Sequence, residues 1–315
     1  MIKENSFYIK QLKNVVFLGY SDLLSKFIDI NSNLKINTFV ITSPDQNKKL
    51  EKIKKKKVFK NLNNLFRSFI KKNFDIEKTI FISISSRWIF KKSTINFFKN
   101  NLINFHSSRL PFDRGGATFS WQILKGDRVH SNTAHLVDEG VDTGPIIFSR
   151  NTIYPYDCKI PLDFEIYDKK QLEFFYQSLV KKIIKEEKLR LYNQNNNISS
   201  YNPRINSVKD SWIDWNLKPE DLIKFINAFD EPYEGAKTLL NGKIVRLKSA
   251  QISSAVGGGH PFMSGIISNK DKDWITINLY DGKCLIVERI LNEKNENILK
   301  NIKIEDRFFT DSKKL

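Results

Sequence analysis

The chain has 315 residues, 40% hydrophobic, 12% aromatic and 28% charged. That balance excludes disordered, collagenous and fibrous classes, and at roughly 150 residues per domain it predicts about two domains with a substantial core. Lys and Arg number 52 against 35 Asp and Glu, a net charge of +17, which attracts nucleic acid, anionic lipid or phosphorylated small molecules without choosing among them; drift toward AT-rich codons (Lys, Asn, Ile, Phe) is the competing reading.

The first residues, MIKENSFYIKQLKN, interrupt their apolar positions with charge and lack a signal-peptide pattern, and no apolar run reaches the roughly 18 residues that span a bilayer. The only cysteines, Cys158 and Cys284, are too few for a disulfide framework or a CxxC metal cluster. A cytoplasmic protein without membrane association is the expectation.

NVVFL, Asn14 to Leu18, ends at Gly19 and precedes a helix-forming stretch, SDLLSKFIDI. INTFVIT (Ile36 to Thr42) closes at Pro44, and TIFISIS (Thr79 to Ser85) is apolar enough for burial on both faces. With LNNLFRSFIKK (Leu62 to Lys72) as a crossover helix, the first half reads as a doubly wound α/β sheet, mostly parallel. LINF then leads into His106, and NTAHLV (Asn132 to Val137) precedes the turn DEGVDTG and the run PIIFS. A long helix from Asp168 to Lys188 and a polar linker, YNQNNNISSYNPR, follow. PEDLIKFINAF is a helix, with Pro219 and acidic residues at its start. Asn241-Gly242 between β-prone runs signals a hairpin, and strands around Asp281-Gly282 complete a small, mainly β domain. The expected domains are 1–195 and 196–315.

Polar and special residues are densest in NFHSSRLPFDRGGATFSW (Asn104 to Trp121) and VDEGVDTGP (Val137 to Pro145). Alternation along a strand puts Asn104 and His106 on one face. Asp142, at the end of a neighbouring segment, is placed to support His106 as a carboxylate supports an imidazole. No nucleophile elbow, HExxH or third metal ligand accompanies the histidine, so covalent acyl-enzyme and zinc mechanisms have little support. Direct acyl transfer between two bound molecules fits: an amide and an imidazole orient the reactants, take up an amine proton and stabilise an oxyanion. Taken singly, each residue has a bland reading as a turn, cap or packing residue.

NFHSSRLPFDRGG followed by DEGVDTGPII resembles the folate-dependent formyltransferases, which include glycinamide ribonucleotide transformylase, methionyl-tRNA formyltransferase and the nucleotide-sugar N-formyltransferases; the likeness runs more loosely from Asn14 to about Leu247. The resemblance implies a Rossmann-like formyltransferase domain with a smaller β domain. It implies Asn104, His106 and Asp142 as the catalytic trio, and N10-formyltetrahydrofolate as formyl donor. It places the donor's pterin against Arg87, Trp88, Ile89 and Phe90 and the loop with Asp138, Gly140 and Val141, and it suggests a homodimer. SSRLPFDRGG, SWIDWN and FINAFDEPYEGAKT are closest to enzymes that formylate nucleotide-linked amino-dideoxy sugars. The implied acceptor is dTDP-4-amino-4,6-dideoxyglucose or a 3-amino or GDP-linked relative, for surface polysaccharide. Arg109 and Arg114 are candidates for its diphosphate, and Phe225, Phe229 and Tyr233 for its base.

Methionyl-tRNA formyltransferase is the alternative, favoured by the Lys-rich stretch within Thr42 to Lys57, which otherwise reads as a solvated loop, and by the β-rich tail. A non-catalytic RNA-binding protein is the reading from another class. Trp212 and Trp215 are expected to pack, His130 and His135 to be structural, and Gly257-Gly258-Gly259 before His260 to be a flexible connection.

Overall fold

The computed structural model describes residues 6–253 and 259–315; Gly257 and Gly258 of the triple-glycine connection, and the first five residues, lie outside them. The chain divides into two compact units. The first comprises residues up to Gly115 together with Val129–Ile153 and Tyr167–Asn202; the second comprises Gly116–Arg128, Tyr154–Ile166 and Pro203–Leu315.

The first unit holds a seven-stranded sheet. In chain order its elements are β1 (Asn14–Gly19), α1 (Leu24–Asn33), β2 (Asn37–Thr42), β3 (Lys56–Val58), α2 (Asn64–Asn73), β4 (Thr79–Ile84), α3 (Lys92–Phe98), β5 (Leu102–His106), β6 (Val129–Leu136), β7 (Ile146–Ile153) and α4 (Pro161–Ile184), whose residues from Tyr167 onward belong here. The strand order is β3-β2-β1-β4-β5-β6-β7, parallel through β5 and antiparallel beyond it. Alternate residues of the apolar strands feed two cores. Val15, Phe17, Ile80, Ile82 and Ile103 pack against Phe27 of α1 and Phe175, Tyr176 and Leu179 of α4. Val16, Leu18, Phe81 and Leu102 pack against Phe66 and Ile70 of α2 and Phe98 of α3. Strands buried on both sides explain the near-continuous apolar runs. Strand order reverses at β1, and Gly19 (φ +123°) lets that strand's end approach β4: a Cβ there would lie 2.2 Å from the Ile84 carbonyl oxygen. Open α/β sheets place their sites at such switch points, at the carboxyl ends of the strands.

The Lys-rich stretch keeps Lys48, Lys49, Lys52, Lys54, Lys55 and Lys57 exposed, as a solvated segment would, but its backbone is tied down. Leu50 and Ile53 are buried, the Lys56 ammonium donates to the Leu50 carbonyl, and Lys56–Val58 pairs with β2 as the sheet edge. Lysines on an edge strand keep it from recruiting further strands.

The second unit contains a six-stranded antiparallel sheet in the order β10-β11-β12-β9-β8-β13, with β8 (Ala236–Leu240), β9 (Lys243–Ser253), β10 (Ile267–Lys270), β11 (Ile275–Asn278), β12 (Cys284–Leu291) and β13 (Phe308–Phe309). The predicted Asn241-Gly242 hairpin is present, with φ of +50° and +77° as a type I′ turn requires. Helix α5 (Pro219–Ala228) buries Leu222 and Ile226, and Trp215 packs as expected, stacked on Phe308.

The units do not follow a single cut near residue 195. Ser120 of the helix Thr118–Lys125 donates to the Ala228 carbonyl, and the Tyr154 hydroxyl donates to Gln122, which draws two internal segments into the second unit. Conversely, Tyr201–Asn202 of the supposed linker pairs in parallel with Arg114–Gly115 in the first unit.

Candidate active site

Asn104 and His106 continue the face of β5 begun by Leu102, and antiparallel pairing sets Asn104 opposite His135 and His106 opposite Thr133 on β6. The loop after β6 returns Asp142 to the same point with φ +54°, a left-handed conformation that Asp tolerates better than most residues. Asp142 Oδ2 accepts the Gly115 N–H at 3.0 Å and lies 3.7 Å from His106 Nδ1. Asp142 Oδ1 accepts from Asn104 Nδ2 at 3.3 Å and lies 3.5 Å from His135 Nε2. The structure thus brings the predicted trio together.

Carbonyl contacts fix both imidazoles. His106 Nε2 sits 2.8 Å from the Asp113 carbonyl oxygen, which only accepts, so this nitrogen carries a hydrogen and Nδ1 is the atom that faces Asp142. His135 Nδ1 likewise donates to the Leu136 carbonyl, leaving Nε2 to accept from Asn104 Nδ2 at 3.2 Å when the ring is neutral. Burial pushes the Asp142 carboxyl up. A hydrogen bond from His135 Nε2, which that nitrogen can donate only when the ring is charged, together with the charge of protonated His106 and the Gly115 N–H, outweighs it and brings the group down to about 2.

His135, read from sequence as structural, is therefore part of the cluster. Only the β5–β6 register reveals this, because strand pairing is not legible in one chain segment. His130 is structural, buried with Nε2 2.8 Å from Asp168 Oδ1, and Asp168 also accepts from Asn132 and from Ser107, the residue after His106.

The other predicted residues fall unevenly. Arg87 pairs with Asp45 on the surface, while Trp88 and Phe90 pack on the α2–α3 side of the sheet. Ile89 is 92% exposed and Val141 also projects outward. A surface ion pair of 2.8 Å joins Lys92, the first residue of α3, to Glu139 in the loop that bears Val141. Asp138 caps its own turn, accepting from Gly140 N–H and the Thr143 hydroxyl. The Arg109 guanidinium lies over Phe112. Arg114 does not present itself for a diphosphate: it is buried and donates to Gln194 Oε1 through Nε and Nη2, and to Asn196. Phe229 does not offer a stacking face either. At 3% exposure it belongs to the second unit's core with Phe225 against it, because a side chain one turn along an amphipathic helix shares its buried face. Tyr233 closes a turn onto Asp230. A separate cavity of ≈ 620 Å³, lined by Lys35, Asn37, Thr38, Lys52 and Ile53, opens at the amino end of β2, the opposite end of the sheet from His106.

A sheet of this strand order, with an amide, two imidazoles and a carboxylate gathered at the carboxyl end of β5, is the kind of α/β scaffold and acid–base cluster that a group-transfer enzyme can use. Residues 13–159 match the formyl transferase family and 206–302 match the formyl transferase C-terminal domain. Over 222 residues, 70% of this chain and 68% of the relative, the chain is 28% identical to the methionyl-tRNA formyltransferase of Clostridium acetobutylicum. In fold it is similar to WlaRD, a sugar 3N-formyl transferase solved with dTDP and 5-N-formyl-THF (TM-score 0.67, 21% identity, covering 90% of this chain and 99% of that one). It is similar to the same degree to an N-formyltransferase from Helicobacter canadensis solved with folinic acid and dTDP-3-aminofucose (TM-score 0.67, 18% identity, 88% and 99%). The chain belongs to the formyl transferase family.

Proposed function

We propose that the protein transfers a formyl group from N10-formyltetrahydrofolate to the amine of a dTDP-linked amino-dideoxy sugar, using Asn104, His106 and Asp142. The observation that carries the transfer is the meeting of these three side chains with fixed hydrogen-bonding roles. The donor fits the exposed Ile89 and Val141, apolar side chains on two loops, which a pterin ring would cover.

In the reaction the acceptor's neutral amine attacks the formyl carbon. His106, protonated at Nδ1, donates to the developing oxyanion, and Asp142 balances its charge. The Asn104 amide hydrogens make bonds of 3.2 and 3.3 Å, long for this type. One of them turns to the oxyanion while Asp142 remains held by Gly115. As the C–N bond to the folate breaks, the proton lost by the amine reaches the departing nitrogen, by way of His106 or a water beside Asp142. A carboxylate near pKa 2 does not keep that proton, so its part is electrostatic.

The acceptor reading is supported by SSRLPFDRGG and by likeness in shape to two sugar enzymes over nearly their whole length. The 4-amino sugar remains the first candidate, with the 3-amino sugar next because one neighbour is a sugar 3N-formyl transferase and the other was solved with dTDP-3-aminofucose. The product would serve surface polysaccharide such as O-antigen, made in the cytoplasm by a homodimer. The sequence relatives favour methionyl-tRNA as the second reading. The test is formyl transfer to a panel of dTDP- and GDP-linked 3- and 4-amino sugars beside unformylated methionyl-tRNA. Product on a sugar nucleotide is expected; product on the tRNA alone overturns the acceptor.

A further inference from the structure

The segment after α4 reads as a featureless polar linker, yet it holds the acidic member of the site from behind. Gln194 Nε2 donates one hydrogen to the Asp142 carbonyl at 2.8 Å and the other to the Gly144 carbonyl at 2.7 Å. Its Oε1 accepts from Arg114 Nε at 3.0 Å and Nη2 at 2.9 Å. These partners fix the amide's orientation: two carbonyls demand the NH2 end, and a guanidinium demands the oxygen.

Arg114 immediately precedes Gly115, whose N–H holds Asp142 Oδ2, so one short segment grips the carboxylate directly and, through Gln194, its backbone. A left-handed Asp relaxes unless its surroundings over-determine it. Gly144 adds to the constraint, since a Cβ there would meet the Leu136 carbonyl oxygen at 1.9 Å.

We propose that Gln194 is a positioning residue for formyl transfer, locking the left-handed backbone of Asp142 so that its carboxylate stays on Gly115 and beside His106. The proposal rests on the reading of Asp142 as the charge partner in that reaction. Gln194 touches neither reactant in this role, so its loss should act on turnover rather than on binding.

The discriminating variant is Gln194→Glu, which keeps size and the Arg114 pairing but turns a carboxylate oxygen toward two carbonyls; Gln194→Ala removes the side chain. Misplacement of about 1 Å costs on the order of 10²-fold, so kcat should fall about 10- to 100-fold while KM for the acceptor and Kd for folinic acid stay within about 3-fold. If Gln194 acts through Asp142, adding Gln194→Ala to Asp142→Asn lowers kcat by no more than about 2-fold further, since coupled residues are not additive. Crystal structures of both Gln194 variants supply a readout independent of activity, with Asp142 expected to leave the left-handed region or to lose its bond to Gly115. Independent, multiplicative losses, or variants in which Asp142 keeps its φ and its 3.0 Å contact, overturn the proposal. A wild type that formylates nothing in the panel refutes the proposed function, and the structures of the variants still decide the role of Gln194.

Discussion

Replacing Asp142 by Asn leaves the volume of the site unchanged and removes its one anion. The Asn oxygen would keep the Gly115 N–H, while its new NH2 would face Asn104 Nδ2, a donor, and His135 Nε2. With unit charges 3.7 Å apart and an effective dielectric of about 20, Coulomb's law gives about 4 kcal/mol of support for the His106 imidazolium. At about 1.4 kcal/mol per decade that is up to about 10³ in rate. If two-thirds of that support is realised in the transition state, the loss is still about 10². The expected fall in kcat is therefore about 10²- to 10³-fold, measured as steady-state formyl transfer to the best acceptor. Kd for folinic acid should be little changed, because Asp142 contributes charge to the reacting centre rather than contact area. A variant within tenfold of wild-type kcat would refute the electrostatic role of Asp142, whatever its stability.

The same carboxylate links stability to pH. Its folded pKa of about 2 lies below the ordinary 3.8, so it contributes stability above pH 4, at most about 2.5 kcal/mol by linkage, and loses it as pH falls through about 2. The Tm gap between wild type and Asp142→Asn should accordingly narrow on acidification from pH 5, as thermal melts at stepped pH would show. Asn104→Ala removes an oxyanion donor and should lower kcat by about 10²- to 10³-fold with an unaltered circular dichroism spectrum. Tyr176→Phe strips the donor from buried Asn31 Oδ1 and should lower unfolding free energy by about 1–3 kcal/mol in urea titrations. Gly19→Ala forces a Cβ onto the Ile84 carbonyl at a φ that L residues rarely adopt, and should cost about 2 kcal/mol or more in the same assay.

Much of the molecule was legible from residue order. The runs at Asn14, Ile36 and Thr79 form strands of a sheet covered on both faces because their central residues, Val15 to Leu18, Phe39 to Ile41 and Ile80 to Ile82, are apolar, and Asn241-Gly242 turns a hairpin because both residues accept positive φ. Asn104 and His106 share a face by alternation alone. What stayed hidden depended on partners distant in sequence. The Lys-rich stretch carries the edge strand β3 because β2 offers it a free edge. Arg114 and Phe229 looked like ligand-binding side chains until Gln194 and the second unit's core claimed them.

The sequence by itself determined the apolar strands, the turn chemistry and the shared face of Asn104 and His106, since these follow from local periodicity and side-chain type, while the trio as a set was implied by motif resemblance. Only the tertiary structure decided that His135 joins the trio and that Gln194 and Gly115 hold Asp142. The reason is physical: strand register and hydrogen bonds between remote segments are set by how whole faces pack, and packing leaves no local signature in the segments it brings together.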